Sequence, residues 1–121
     1  MGALANHGRV LTEHVGAPRA EAALGEVEVH DRDLRWLRQA DVLVAEVTTP
    51  SLGVGYEIAM AESWGKPVLC LLRPDSGRRL SAMIAGAAGV RVEEYGAVEE
   101  AEAVVADFMR TIEDSGRQDS T

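Results

Sequence analysis

Short apolar runs alternate with segments of helical period along most of the chain. Residues 10–15 form a strand-like run, 17–25 an Ala/Glu-rich connection, and 29–40 a helical segment. Val42, Leu43, Val44, Ala45 and Val47 make a strand over 42–47, of the kind found in a parallel sheet covered on both faces. A helix is predicted over 56–64, with Tyr56, Ala59, Met60, Ser63 and Trp64 on one face, Gly65 as its stop and Pro67 opening the next strand. Strand 68–72, helix 80–85 and strand 90–93 follow. The clearest helix spans 98–112, with Val98, Ala101, Val105, Phe108, Met109 and Ile112 on one stripe. This alternation implies one domain over residues 1–113 with a polar tail at 114–121. It predicts an open parallel sheet with helices on both faces, and ligands at the carboxyl ends of the strands.

Ser51-Leu52-Gly53-Val54-Gly55-Tyr56-Glu57 joins the second strand to its helix. Pro50 cannot continue a sheet ladder, and Gly53 and Gly55 read as a tight turn where backbone can approach a ligand. A helix start has free N–H groups and a partial positive charge, so it can hold a phosphate or keep a carboxylate ionised. Ser51 and Glu57 are placed to use it. Taken alone, the same loop is also that of an ordinary cap and an ordinary first-turn acid, and it lacks the third glycine of a dinucleotide fingerprint. A second acid, Asp33, lies in His30-Asp31-Arg32-Asp33-Leu34-Arg35-Trp36-Leu37. Leu34 and Leu37 share an inward stripe, and Asp33, Trp36 and Ala40 share a neighbouring one that faces the same side of the sheet. Acids also belong in first helical turns for electrostatic reasons alone, so Asp33 by itself decides nothing.

Composition excludes several classes. The 121 residues carry a formal charge of −8, which argues against a nucleic-acid backbone as partner. Arg73, Arg78 and Arg79 cluster in one turn-rich segment; this is local positive charge for a small anion, or a solvated loop. The single cysteine, Cys70, sits in an apolar run and reads as a core residue in a reducing compartment. No zinc spacing or signal peptide is visible. No run approaches the about 18 apolar residues a membrane span needs. The expectation is a cytoplasmic protein without metal, cofactor or membrane partner. His7, His14 and His30 read as end, structural and helix-start residues.

Three stretches occur in order: "LTEHV", "HDRDLRWLRQADVLVAEVTTPSLGVGYE" and "KPVLCLLRPDSGRRLSAMIAGA". Together they resemble the 2′-deoxynucleoside 5′-phosphate N-hydrolase family, within the nucleoside 2-deoxyribosyltransferase superfamily, over residues 8–95. The resemblance implies a Rossmann-like (flavodoxin-like) fold and cleavage of the N-glycosidic bond of nucleoside 5′-monophosphates. It makes Glu57 the nucleophile at the anomeric carbon and Asp33 the residue that orients the sugar and assists proton transfer to the departing base. Ser51 and the backbone at Gly53 would hold the 5′-phosphate, completed by Ser81 from the neighbouring subunit of a homodimer. Two carboxylates suit an oxocarbenium-like transition state. The helix start would keep Glu57 ionised, and burial against Trp36 would help Asp33 hold a proton. Base exchange in place of hydrolysis, or a noncatalytic nucleotide-binding module, are the alternatives.

The family also has a first strand, a Gly-rich turn bearing a tyrosine and an arginine, and a helix, none of which this chain matches; residues 1–8 read as the end of that helix. The unmatched strand is central in the family, between the strands at 10–15 and 42–47. Unpaired N–H and C=O groups there would be costly, so the expectation is that the protein starts further upstream, that those two close the gap and pair directly, or that the chain is a truncated remnant.

Overall fold

The computed structural model describes residues 10–13 and 25–119 apart from 75, 76 and 78, with side chains over 25–114 less the same three. His7, His14, Arg78 and the predicted connection at 17–24 therefore lie outside the described residues or side chains. Four strands, β1 (Val10–Glu13), β2 (Val42–Glu46), β3 (Val68–Leu72) and β4 (Val90–Glu94), form one sheet in the order β1-β2-β3-β4. All neighbours are parallel. The helices are α1 (Glu26–Gln39), α2 (Leu52–Ser63), α3 (Ala82–Ala85) and α4 (Val98–Asp119). The open parallel α/β architecture is the one the alternation predicts.

β1 and β2 pair directly, with Val10 opposite Val42 and Glu13 opposite Ala45. Of the expected alternatives, direct pairing is the one the structure shows, with a parallel ladder in place of unpaired backbone. Each crossover steps the same way along the sheet, and right-handed connections then place their helices on one face. Leu43, Ala45, Val47, Val68 and Cys70 point to that face, against Leu37 of α1, Val54, Ile58 and Ala61 of α2, and Ile84 of α3. Val42, Val44, Leu69 and Leu71 point to the other, against Val105, Phe108 and Met109 of α4. With both faces covered, every β2 residue up to Ala45 is buried, which is why the run is apolar without alternation. Burial pushes the Cys70 thiol up to about 11, so it is an inert core group.

Two helices begin earlier than the sequence reading placed them, α1 by three residues and α2 by four. α1 starts at Glu26 and α2 at Leu52, so Gly53 and Gly55 are helical residues and not a loop. Neither has positive φ; that conformation is taken by Gly65 and Gly77. Gly65 does stop α2, with its N–H donating to Glu62 O (3.0 Å) and the Lys66 N–H donating to Ala61 O (2.9 Å), a paired closure of the last turn. The inward face of α2 also differs. Val54, Glu57, Ile58 and Ala61 are buried, whereas Tyr56, Ala59 and Ser63 are exposed. α2 is apolar on most sides, so its sequence alone does not choose a face; the sheet does. α4 continues through Asp119, beyond the apolar stripe, and Val98 at its start is exposed. Among the described residues no helix is long and apolar enough to cross a membrane.

Candidate active site

Ser51 ends the loop after β2 as the N-cap of α2, its Oγ accepting from the Val54 N–H (3.3 Å). The first turn of α2 is thereby fixed at the carboxyl edge of the sheet, with Leu52 thrust outward at 96% exposure. Leu52 stands between two clefts and lines both.

The first cleft, about 540 Å³, lies between α1 and α2 and brings Asp33 and Glu57 together. Glu57 is the sixth residue of α2 and is 6% exposed, on the stripe that faces the sheet. It is not the first-turn acid the sequence suggested, and helix-end electrostatics fade beyond the first turn. A glutamate on an inward stripe of an otherwise apolar helix is conspicuous because buried carboxylates are costly unless they serve a purpose. Asp33 Oδ1 accepts from both Nε and Nη2 of Arg32 at 3.0 Å. Trp36, expected beside Asp33, is 44% exposed, and Arg32 stacks its guanidinium over the ring at 4.6 Å. An ion pair therefore replaces the apolar wall predicted for Asp33, and such a carboxylate is suited to accepting hydrogen bonds from a sugar hydroxyl. His30 and Tyr56 stand edge to face on the same cleft, ring centres 5.9 Å apart. Gly53 also lines it; a side chain added there would meet only Ser51 Oγ, at 4.0 Å.

The second cleft, about 500 Å³, lies on the other side of Leu52. Thr48, Ser51 and Gly55 form one wall, Arg79 and Ser81 the other. Ser81, expected to act across a subunit interface, lines this cleft of its own chain, and its Oγ accepts from the Met83 N–H (3.2 Å). Of the arginine cluster, Arg79 faces the cleft, while Arg73 lies over the Tyr95 ring at 4.9 Å. The Ser51 and Ser81 hydroxyls, the Arg79 guanidinium and the helix start are groups with the chemistry to bind an anion. Among the described residues no three His, Cys, Asp or Glu side chains gather as a metal site.

The sequence reading missed one constellation. Glu46, the last residue of β2, accepts from the Thr48 N–H (2.6 Å), the Thr48 hydroxyl (2.9 Å) and the Tyr95 hydroxyl. Burial, and then the Glu46 carboxylate, hold the Tyr95 phenol above its ordinary range. The available signal was an acid ending an apolar strand on a core-facing parity; Tyr95 lies 49 residues from Glu46 and Arg73 25 from Thr48, so no local motif joins them.

A carboxylate pair beside a cleft lined by hydroxyls and a guanidinium, both at the carboxyl ends of a parallel sheet, is where an open α/β domain holds its ligand. Residues 2–101 match the family model described as nucleoside 2-deoxyribosyltransferase, and the chain belongs to that family. Among curated relatives, a Mus musculus protein named 5-hydroxymethyl-dUMP N-hydrolase is 60% identical over 103 residues, covering 80% of this chain and 60% of its own length. The Homo sapiens protein of the same name is 60% identical over 90 residues, 70% of this chain and 52% of its length. The Danio rerio one is 45% identical over 116 residues, 90% of this chain and 80% of its length. The chain thus spans little more than half the length of the mammalian relatives it matches.

Proposed function

We propose that the chain is an N-glycosidase of deoxynucleoside 5′-monophosphates, releasing free base and deoxyribose 5-phosphate. The observation that carries this reading is the convergence of Asp33 and Glu57 on one cleft, separated by a single helical turn from the Ser51, Arg79 and Ser81 cleft. A nucleotide laid across Leu52 would have its anomeric carbon on the acids and its phosphate on the hydroxyls and Arg79. A Glu57 oxygen attacks C1′ as the C1′–N bond breaks, and the departing base takes up a proton relayed from solvent water through Asp33. Water then attacks C1′, gives up a proton, and frees the Glu57 carboxylate. Asp33 orients the sugar and assists the proton transfer.

The relatives are named for 5-hydroxymethyl-dUMP, so that nucleotide heads the substrate panel. Chromatography should show base released from it or from a common deoxynucleoside monophosphate, and far more slowly from the matching unphosphorylated nucleosides. Binding of monophosphates without base release would instead support a noncatalytic nucleotide module.

The same reading includes a homodimer in which Ser81 also serves the neighbouring site, supported by exposed Leu52, Tyr56 and Met83 around the two clefts. Subunit mixing tests it. If Ser81 acts across the interface, combining Glu57→Gln chains with Ser81→Ala chains rebuilds one wild-type site per mixed dimer, with wild-type KM. If Ser81 acts within its own chain, the mixture keeps the raised KM of Ser81→Ala. A monomer by sedimentation at assay concentration removes the dimer.

A further inference from the structure

We propose that Thr48 is a positioning residue for phosphate recognition, clamped between Glu46 and the Arg73 backbone, so that it sets the separation of the two walls of the Ser51–Ser81 cleft. This rests on the proposed nucleotide reading and adds residues that reading does not use. Beyond the last ladder bonds, Val47 N–H to Leu71 O (2.9 Å) and Tyr95 N–H to Leu72 O (3.0 Å), the strands diverge into the loops that carry the cleft. At that divergence the Thr48 hydroxyl donates to Glu46 Oε2 (2.9 Å) and accepts from the Arg73 N–H (2.9 Å). A hydroxyl has one proton to give, and here it is committed to Glu46, which fixes the lone pairs that meet Arg73. Tyr95 braces the same carboxylate oxygen, and Arg73 covers the Tyr95 ring and donates to Gly96 O (3.4 Å).

Both walls leave from this knot. Thr48 begins the segment that runs through Thr49 and Pro50 to Ser51, and Arg73 begins the one that reaches Arg79 and Ser81; Thr48, Ser51, Arg79 and Ser81 all line the cleft. One hydroxyl therefore joins the two segments whose side chains must close on the same anion. A phosphate needs its donors placed together, so loosening the knot acts on phosphate affinity while leaving the acids of the other cleft in place.

The test compares wild type, Thr48→Val, Thr48→Ser and Tyr95→Phe. It uses steady-state base release from a deoxynucleoside monophosphate, and calorimetric affinity for that nucleotide and for inorganic phosphate. Valine keeps the shape and removes both hydrogen bonds, so KM and both dissociation constants should rise about tenfold, with kcat within about twofold. Serine restores the hydroxyl and should return all of them to near wild type, and Tyr95→Phe should fall between. A purely structural role would lower the unfolding temperature without this split, and unchanged phosphate affinity in Thr48→Val overturns the proposal. If wild type releases no base, the hydrolase reading fails on its own and calorimetry still decides the clamp. If folded wild type binds neither nucleotide nor phosphate, the clamp is overturned too.

Discussion

Glu57→Gln should abolish base release, lowering kcat on the order of 10⁴-fold or more, the scale seen when a nucleophile is removed. Glutamine keeps the volume of a side chain that is 6% exposed and exchanges one acceptor oxygen for an NH2 donor, so packing beside Ile58 and Ala61 is conserved. What it loses is the charge that attacks C1′ and that balances the developing oxocarbenium ion. Stability should change little, because the lower cost of burying a neutral amide offsets the contacts that the carboxylate gives up. The variant should therefore melt within a few degrees of wild type, about 1 kcal/mol or less, while binding nucleotide with similar affinity. Those two controls separate a chemical loss from a folding loss. Intact-mass spectrometry adds a direct readout: wild type mixed with a slow substrate should gain the mass of a deoxyribose phosphate ester, and Glu57→Gln should not. A Gln variant retaining activity within about tenfold of wild type would move the nucleophile elsewhere.

The strands and the stop of α2 were legible because each has a local cause. Val42 to Ala45 is buried on both sides, Pro67 precedes β3, and Gly65 takes the positive φ that ends α2. The inward face of α2 was not legible, and the reason is physical. Two stripes of that helix are apolar, and only the packing of Val54, Ile58 and Ala61 against Leu43 and Cys70 decides between them. That choice matters for function, because it turns Glu57, read from the sequence as a first-turn acid, into a buried side chain. It also changes the case for its chemistry, from electrostatics at a helix end to isolation from solvent.

Asp33, Glu57, Ser51, Gly53 and Ser81 were singled out from the sequence as candidates, and the structure places them on two adjoining clefts. Their surroundings were less legible. The sequence put Trp36 beside Asp33 by helical spacing, but Arg32 reaches over the ring and takes the carboxylate itself. The Glu46, Thr48, Arg73 and Tyr95 knot could not be read from spacing, since it exists only where three strand ends meet in space.

The Arg32 contact shapes what Asp33→Asn should do. Asparagine keeps the size of the side chain and loses the charge, so it can neither exchange a proton with the departing base nor pair with Arg32. Base release should slow by about 10²–10⁴-fold, the usual share of a positioned proton-transfer group. KM should also rise if Asp33 holds a sugar hydroxyl. Arg32→Gln tests the pairing separately: Asp33 remains, its orienting partner is gone, and the expected loss is about tenfold, the size of one charge-assisted contact. The double variant should then be no slower than Asp33→Asn alone, because Arg32 acts through the carboxylate that is already absent. Additive losses would instead give Arg32 a role of its own at the cleft, and an Asp33→Asn rate within about tenfold of wild type would take Asp33 out of the proton transfer.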